Sequence, residues 1–565
     1  MALLAFSHAT IRISAVFYFI RLFGSESTIR LPILARATPR LFWQQRALLT
    51  CMTMSATSVG LKFDSQIPSD ATTTILVGRK QTLLSAPGEA LPTVLPQSLW
   101  APLVGKASNP GDMGGSASTL IATSDGPAAT VVAAVLPEPC SRHNSPFRPH
   151  AMSALVASPA NEAAAACDHA SIVVVLDDAA HAGGAACAIA RAFPLYSRKK
   201  SSTAKKGGVT VSFFTKEGPL PAEQYPALRT AADGVRLAAR LVDMPAEELT
   251  TTAFVAEAAA VTKRLQDAGH KIISEVISGE ALRDGGYGGL WNVGKAAEEP
   301  PALVVLSYVP ENPAKTVCLV GKGIVYDTGG LGLKSKEGMC GMKADCGGAA
   351  ALLAAFEAAV ASGLGGDALH VCLCLAENAI GPAAFRHDDI ICFLSGKTCE
   401  INNTDAEGRL VLSDGVAHAS HRPPKLPGVK TQPDLIIDMA TLTGAQLVAT
   451  GKRHAAIVTN DEQVEIASVA AGKLSGDLVH PLPYCPEFFR KEFKSQVADM
   501  KNSVKDRSNA QSSCAANFIH ENLNEEFSGS WLHVDMAGPA FVDDRATGFG
   551  VAFVLALLGV APFKP

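Results

Sequence analysis

The sequence lacks the cysteine spacings that build zinc fingers or redox sites, although it contains 13 cysteines. None of them form a Cys-x-x-Cys pair, and Cys372 and Cys374 are too close together on an extended strand for an ordinary disulfide bond. Their odd number also argues against the disulfide framework of a secreted domain. The cysteines are therefore predicted to be reduced, mostly buried thiols in an intracellular compartment.

The chain also lacks a large net charge and a long apolar run. Lysine and arginine total 49 against 53 acidic residues, a net charge of −4, so no nucleic-acid partner is expected. The uncharged apolar run at 548–563 is shorter than the roughly 20 residues that a spanning helix needs. It is predicted to form a buried C-terminal helix, and no membrane partner is expected.

Acidic residues are nearly missing from residues 1–55, where Glu26 stands against six arginines. This composition is typical of an organellar transit peptide, so the segment is predicted to be a targeting-like or disordered extension. The alternative is that translation starts at Met52 or Met54 and gives a cytosolic protein. The expected location is therefore cytoplasmic, or mitochondrial or in another organelle if residues 1–55 are a transit peptide.

The rest of the chain alternates short β-branched runs with alanine-rich helical segments, which predicts an α/β fold of two domains. We expect a smaller N-terminal α/β domain at 56–221 and a linking helix at 222–242. A larger catalytic α/β domain with a mostly parallel sheet is expected at 243–565. The basic run at 197–208 is predicted to be a solvated loop, with anion binding as the alternative.

Two glycine-rich clusters between Gly321 and Arg409 carry most of the candidate chemistry. Their charged members are Lys322, Asp327, Lys334, Asp345, Asp405, Glu407 and Arg409. The glycines predict tight loops at strand ends, and Lys322 is expected immediately beyond the strand that ends at Val320. Open parallel sheets bind ligands at the carboxyl ends of their strands, which is where these residues are expected.

Four carboxylates gathered in one buried place would repel one another unless cations neutralised them. Two divalent metals about 3.5–4 Å apart are the usual solution in hydrolases. Without histidine or cysteine pairs at zinc-finger spacing, the site would be rich in oxygen and tolerant of manganese, magnesium or zinc. Either cluster alone is explained as well by a turn or a surface ion pair; the two together in this order indicate a metal-dependent hydrolase.

The motif Asn403-Thr-Asp-Ala-Glu-Gly-Arg-Leu410 resembles the signature of the M17 leucyl aminopeptidases, also called cytosol aminopeptidases. The upstream cluster and the segment Asp438-Met-Ala-Thr-Leu-Thr-Gly-Ala445 are similar to two further blocks of that family. Cys346 and the block 498–507 look most like its probable aminopeptidase-like 1 branch. The resemblance runs from about Arg236 to the C terminus.

This resemblance implies a metalloaminopeptidase that releases apolar, leucine-like residues from the N terminus of peptides. It also implies a macro-like first domain, a homohexamer and two divalent metal ions, manganese or zinc with magnesium as an alternative. The implied metal ligands are Lys322, Asp327, Asp345, Asp405 and Glu407, with Asp327 and Glu407 bridging. Lys334 would stabilise the oxyanion, and Arg409 would hold a bicarbonate that acts as general base. The implied substrate contacts are Met342, Asn403, Thr441, Leu442 and Gly444.

Two other function classes stay open at the level of sequence. One is a hexameric binding or scaffold protein with secondary or residual peptidase activity, suggested by the basic run at 197–208. The other is a phosphoesterase, which shares two-metal chemistry but would be expected to place histidines in the site. Lys343 and Cys346 flank the ligands where better-known members of the family differ, which leaves the preference for leucine open. Cys346 is either an oxidation-sensitive residue beside the metals or a small core residue.

Overall fold

The computed structural model describes residues 59–108, 111–122, 128–199 and 207–564. The chain divides into the units Met1–Cys51 and Met52–Pro565, and all described residues belong to the second. The predicted extension at 1–55 and most of the basic run at 197–208 lie outside the described residues, so both remain predictions.

The N-terminal domain is a seven-stranded sheet with helices on both faces. Its strands are β1 (Gly60–Phe63), β2 (Thr73–Arg79), β3 (Gly115–Ile121), β4 (Ala129–Leu136), β5 (Ala170–Val175), β6 (Gly208–Thr215) and β7 (Gly218–Pro219). Its α-helices are α1 (Lys80–Leu84), α2 (Gln97–Ala107), α3 (Pro149–Ala165) and α4 (Ala182–Ala190). The strand order is β1-β6-β5-β2-β4-β3, with β7 beside β6. Along β2, Ile75 and Val77 enter one apolar cluster and Leu76 the other, as expected for a strand buried on both faces.

The helix α5 (Tyr225–Asp243) connects the two domains. It packs against α4 on one side and against a core helix of the second domain on the other. Its buried Arg236 donates hydrogen bonds of 2.9 and 3.0 Å to the carbonyls of Phe193 and Val59. The two domains are also connected by an ion pair of 2.5 Å between Arg191 of the first domain and the buried Asp477 of the second. The two domains are therefore joined by packing and by buried polar contacts.

The second domain is built on an eight-stranded sheet. The strands of this domain are β8 (Ile272–Ser278), β9 (Ala302–Tyr308), β10 (Thr316–Asp327), β11 (Ala368–Asn378), β12 (Ile390–Cys392), β13 (Thr398–Glu400), β14 (Leu435–Ala440), β15 (Ala455–Thr459), β16 (Val479–Pro481), β17 (Met500–Lys501), β18 (Ser530–Asp535), β19 (Phe541–Val542) and β20 (Arg545–Ala546). Its remaining α-helices are α6 (Thr251–Asp267), α7 (Glu280–Asp284), α8 (Gly288–Gly294), α9 (Lys336–Met339), α10 (Gly347–Ser362), α11 (Gly408–Ala419), α12 (Gly444–Thr450), α13 (Glu462–Ser475), α14 (Pro486–Phe489), α15 (Gln511–His520) and α16 (Val551–Leu557).

The large sheet has the order β16-β15-β18-β14-β10-β11-β9-β8. The four central strands β18, β14, β10 and β11 are mutually parallel, whereas β15, β9 and β8 pair antiparallel to their inner neighbours. The predicted α/β fold with a smaller first domain and a parallel-rich sheet in a larger second domain is confirmed. The parallel centre brings the carboxyl ends of four strands to one edge of the sheet.

One local prediction is wrong. β10 does not end at Val320 but continues to Asp327, so Gly321 and Gly323 lie inside a strand and Lys322 is a strand residue. The glycines have a packing role rather than a turn role. A Cβ at Gly321 would lie 2.6 Å from the Ala349 Cα of α10, so their missing side chains let that helix approach the sheet closely.

The helical segment 342–362 is long and apolar enough to cross a membrane by composition, but 89% of its apolar window is buried in the protein. It packs against β10, β11 and α5, so it is a core helix of the second domain. The apolar run at the C terminus forms α16, whose residues 551–555 are buried, in agreement with its prediction.

Candidate metal centre and active-site cleft

The candidate residues lie at the carboxyl edge of the central strands. Asp327 is the last residue of β10, and Asp345 lies in the 3₁₀ helix Met342–Cys346, directly before α10. Asp405 and Glu407 directly precede α11, which begins at Gly408. Residues that are up to 85 positions apart between Lys322 and Glu407 therefore meet at the edge where parallel sheets bind ligands.

Lys322 connects the first cluster to the second. Its Nζ lies 2.8 Å from Asp345 Oδ1 and 2.9 Å from Glu407 Oε1, and it donates to the Thr441 carbonyl at 3.1 Å. A Cβ at Gly408 would lie 2.6 Å from both Cε and Nζ of Lys322. The glycine of the signature motif thus makes the space that the lysine side chain occupies.

Lys334 makes the equivalent connection on the more exposed side. Its Nζ lies 2.8 Å from Asp327 Oδ2 and also contacts Asp405. Oxygen atoms of Asp327, Asp405 and Glu407 lie within 4.8 Å of one another. The side chain of Asp405 is 35% exposed and that of Asp327 only 3%, so the group of carboxylates opens toward solvent at Asp405.

Both lysines are held in the charged form by the acids around them. Burial works against the charge of Lys322, but Asp345 and Glu407 outweigh it and raise the pKa of the ammonium group. Burial opposes the charge of Lys334 as well, and Asp327 reverses the effect, so its pKa is also raised. The two ammonium groups therefore supply positive charge to these acids within the described residues.

The two lysines do not supply enough positive charge for all four carboxylates. Burial, reinforced by Glu407, raises the pKa of Asp327 to about 6, and burial also raises the pKa values of Asp345 and Asp405. Burial opposes ionisation of Glu407 too, but Lys322 outweighs it and the pKa of Glu407 is lowered. More positive charge is needed to keep the whole group ionised.

The residues fit divalent metal ions. Asp345 Oδ2 and Glu407 Oε2 are buried and have no hydrogen-bond partner among the described residues. A buried carboxylate oxygen without a partner is costly, and coordination to a cation removes that cost. Apart from the nitrogen of Lys322, the donors are oxygens, which suit manganese, magnesium or zinc. Lys322 could coordinate only after losing its proton.

Arg409 is a buried guanidinium next to this group, with 5% of its surface exposed. Its Nη1 donates to the Asn502 carbonyl at 2.9 Å, while its Nε has no partner in the described part of the chain. Burial lowers its pKa to about 10, although Glu407 acts in the opposite direction. No described carboxylate forms an ion pair with Arg409, so its Nε is available to a small anion.

Sequence reasoning missed the residues that hold these groups in place. Asn378 Nδ2 donates to Asp327 Oδ1 at 2.9 Å, and the Thr404 hydroxyl donates to the Gly329 carbonyl at 2.7 Å. The Asp535 carboxylate accepts from the Leu442 N–H at 3.1 Å. Asn378 ends β11 and Asp535 ends β18, both next to strands that carry candidate residues, so a search for polar residues at all strand ends would have found them.

A cleft of about 640 Å³ opens beside the carboxylates. Among the predicted site residues, its lining contains Lys334, Asn403, Asp405, Glu407, Arg409, Leu442 and Gly444. The lining also contains residues that the sequence did not single out, among them Val448, Leu482, Pro483, Arg507 and Ser512. The charged block at 498–507, whose role the sequence left open, contributes Ser503 and Arg507 to this wall.

Two predicted substrate contacts lie outside that lining. The Thr441 hydroxyl donates to Asp345 Oδ1 at 2.9 Å, so this side chain contacts a candidate metal ligand. Met342 begins the 3₁₀ helix that carries Asp345 and is partly exposed. Their role in substrate binding stays a prediction.

The two neighbours of Asp345 have structural contacts. Lys343 Nζ donates to the Asp243 carbonyl at 2.6 Å and lies 5.9 Å from the ring centre of Phe541. The Cys346 thiol is fully buried and lies 3.4 Å from the Lys343 carbonyl, to which it donates. Burial raises the pKa of this thiol to about 12, which favours the core-residue interpretation over the reactive one.

Family models match both domains. The catalytic domain of the cytosol aminopeptidase family matches residues 236–555, and the M17 aminopeptidase N-terminal domain 2 matches residues 72–202. The first match contains every candidate site residue from Lys322 to Gly444.

Curated relatives and solved structures agree with the models. The human probable aminopeptidase NPEPL1 is 50% identical over 437 residues, which cover 76% of this chain and 80% of that protein. The structure of leucyl aminopeptidase from Trypanosoma brucei in complex with bestatin has a TM-score of 0.81 and 36% identity, and the match covers 93% of this chain and 99% of that one. The bottromycin maturation enzyme BotP in complex with Mn has a TM-score of 0.69 and 27% identity, with 86% and 99% covered.

Proposed function

We propose, because the chain belongs to the cytosol aminopeptidase family of M17 peptidases, that it hydrolyses the N-terminal residue of peptides at a centre of two divalent metal ions. Apolar, leucine-like residues are the proposed preference. The observation that carries the proposal is the meeting of four carboxylates and Lys322 at one edge of the sheet, with two buried carboxylate oxygens unpartnered among the described residues.

The proposed metal ligands are Lys322, Asp327, Asp345, Asp405 and Glu407. When bound, two divalent ions supply Lewis acidity and lower the pKa of a water molecule. The protein positions their ligands through the contacts described above, with Asn378 fixing one oxygen of Asp327 and Thr441 one oxygen of Asp345. The manganese in the BotP structure supports manganese as one of the ions; zinc and magnesium are the other candidates.

Two cationic side chains have proposed roles in the reaction. Lys334 lies on the side of the carboxylates that faces the cleft, where its ammonium can stabilise the negative charge that develops on the carbonyl oxygen of the substrate. Arg409 lines the same cleft, and its Nε has no partner among the described residues; we propose that it holds a bicarbonate. That anion would accept a proton from the attacking water molecule.

The cleft supports a peptide substrate. Leu442, Val448 and Leu482 give it an apolar part, and Asn403 and Gly444 add polar backbone and side-chain groups. Bestatin occupies the structure of the T. brucei relative, which supports binding of a peptide-like molecule here. The homohexamer and the cytoplasmic or organellar location also remain proposals, testable by light scattering and by mass spectrometry of the mature N terminus.

The decisive experiment measures hydrolysis by the purified full-length protein loaded with manganese or zinc, with metal content verified by elemental mass spectrometry. Leucine amide and leucine p-nitroanilide should be hydrolysed, and p-nitrophenyl phosphate should not. Asp405→Asn should lower metal content and activity without changing the circular dichroism spectrum. Absence of aminopeptidase turnover by the metal-loaded protein across several N-terminal residues would reject the proposal.

A further inference from the structure

Three cationic side chains line the cleft, and one of them has no acidic partner among the described residues and no role in the proposed reaction. Lys334, Arg409 and Arg507 line it, while its acidic members are Asp405 and Glu407. Both of these acids belong to the proposed metal ligands, where two divalent ions would balance four carboxylates. Lys334 is paired with Asp327 and Asp405, and Arg409 is proposed to hold bicarbonate, so Arg507 is the cation of the lining that is left without a counter-charge among the described residues.

Arg507 is the cation in this lining that the proposed reaction does not use. It lies in the exposed turn between β17 and α15 and forms no ion pair with the described residues. The adjacent acid, Asp506, accepts hydrogen bonds from the backbone N–H and the hydroxyl of Ser508 at 2.9 and 2.6 Å. The guanidinium fork of Arg507 is therefore available for a carboxylate, the group that it matches best.

The start of α15 adds a second attraction for a negative group. Gln511, Ser512 and Ser513 belong to the same lining. The residue before the helix, Ala510, has a φ of 39° and no side-chain oxygen to cap the helix, and the first turn contains no acidic residue. The first turn of α15, with the positive end of its helix dipole, therefore forms part of the cavity wall. Arg409 of the same lining is 5% exposed and its Nε has no partner among the described residues, which is a second observation that this cavity accepts anions.

The proposed function releases an apolar, leucine-like residue that carries the free amino group, so a negative group on the substrate would belong to the part of the peptide that leaves. We propose that Arg507 and the N terminus of α15 bind a carboxylate on that leaving part, which makes short peptides with a free C-terminal carboxylate preferred substrates. The inference rests on the proposed function. The volume of about 640 Å³ lies within the range of about 300–1,000 Å³ for small-ligand sites, enough for a short peptide.

The test compares matched substrates with the manganese-loaded full-length protein. The pairs are Leu-Gly with Leu-Gly amide, Leu-Gly-Gly with its amide, and Leu-Asp amide with Leu-Asn amide. At least one carboxylate-bearing member should have a KM about tenfold lower than its neutral partner, as expected for one solvent-accessible charge-assisted hydrogen bond. The pair that shows the difference tells whether the α-carboxylate of the second or third residue, or an acidic side chain, is bound.

Arg507→Gln should remove this preference by raising the KM of the carboxylate-bearing substrate about tenfold, with kcat unchanged. Arg507→Gln should hydrolyse leucine amide as the wild type does, and Arg507→Lys should restore part of the preference. Lys505→Gln, in the same exposed turn but outside the cleft lining, should have no effect. Equal KM values within all three pairs, or a preference that survives in Arg507→Gln, would overturn the inference. If leucine amide is not hydrolysed at all, the proposed function fails instead. In that case, the affinities of Leu-Gly-Gly and its amide for the wild type and for Arg507→Gln, measured by calorimetry, still test whether Arg507 binds the carboxylate.

Discussion

The side-chain amide of Asn502 donates a hydrogen bond of 2.6 Å to the backbone carbonyl of Asn403, 99 residues earlier in the chain. Asn502 is fully buried, and its Oδ1 accepts from the N–H groups of Asn402 and Asn403 at 2.9 and 3.2 Å. Its own carbonyl accepts the hydrogen bond from Arg409. One asparagine therefore holds both the loop that carries Asp405 and the guanidinium beside it.

We expect Asn502→Asp to weaken metal binding and lower activity about tenfold or more. The variant keeps an oxygen that can accept the two N–H groups but loses the donor to Asn403, and a broken buried hydrogen bond costs about 1–3 kcal/mol. Metal affinity by competition with a chelator and kcat for leucine amide are the measurements. Asn524→Asp is the control, because the Oδ1 of Asn524 accepts from the Glu526 N–H and remains in the variant. Unchanged metal affinity in Asn502→Asp would contradict the assigned role.

Lys334→Met should lower kcat for leucine amide by about 10²–10³-fold, the usual loss when one group that stabilises an oxyanion is removed. Its metal content should stay the same, because Lys334 is not among the proposed ligands. Lys336→Met is the control, since Lys336 is exposed and outside the cleft lining. A variant that loses metal in proportion to activity would show that Lys334 acts on the ligands instead.

Gly408→Ala should impair metal binding while the fold stays intact. Because the new Cβ would lie 2.6 Å from Lys322 Nζ, the lysine must move away from Asp345 and Glu407. The matched control is Gly444→Ala, also at the first position of a helix in the cleft lining, where a Cβ would meet no atom of the described residues within 4 Å. Metal stoichiometry and thermal midpoint should be measured for both variants. Equal metal stoichiometry in the two would argue against Lys322 as a ligand.

Two buried histidines should each contribute a loss of stability in mild acid. Burial lowers the pKa of His370 to about 4 and of His418 to about 3. Both pKa values lie below the value of about 6.5 for the unfolded chain. The two neutral histidines therefore contribute fully to the free energy of unfolding above pH 6.5, and this contribution is lost as the pH falls toward their pKa values in the folded protein. At pH 5 each should cost about 2 kcal/mol of the free energy of unfolding.

The difference in the free energy of urea unfolding between the wild type and a histidine variant, compared at pH 7 and pH 5 in the metal-free protein, isolates this contribution from that of the buried carboxyl groups. Between pH 7 and pH 5 the wild type should lose about 2 kcal/mol relative to His418→Gln, whereas its difference from His387→Gln, at an exposed position, should not change. A pH dependence that is the same in both variants would contradict the assignment to His418.

The Cys346 thiol should not react in the folded protein, because burial raises its pKa to about 12. Treatment with iodoacetamide at pH 8 should label the exposed Cys140 and Cys392 and leave Cys346 unmodified until the chain is unfolded in urea. Peptide mass spectrometry reports both states, and Cys346→Ala should retain activity. Rapid labelling of Cys346 in the native state would restore the reactive interpretation.

Much of the site could be predicted because its residues are chemically unusual and close together along the chain. Asp405, Glu407 and Arg409 fall within one motif, and the alternation of strands and helices predicted the edge of the sheet where they lie. Asn502 could not be predicted in the same way, since an asparagine is common and its partners are about 100 residues distant. Its role follows only from the folded path of the backbone.

The prediction that the glycines of the first cluster form a turn after Val320 is wrong for a physical reason. A missing side chain serves a turn and a close helix–strand contact equally well, so local sequence does not separate the two. The length of β10 is set by its pairing with β11, which extends to the contact between Asp327 and Asn378. Asn378 lies 51 residues after Asp327 in the sequence, so this pairing cannot be read from the local sequence of β10.

The glycines at the contact between the large sheet and α10 also limit how this protein can change. A Cβ at Gly321 would lie 2.6 Å from the Ala349 Cα, and one at Gly348 would lie 2.0 Å from the Met439 carbonyl oxygen. In both cases the obstacle is main chain, which cannot rotate aside as a flexible side chain can. The distance between Lys322 on the strand and Asp345 before the helix is therefore fixed by the main-chain packing of the sheet against α10. Evolution or design could retune this centre by exchanging the ligands, but not by sliding the two segments apart.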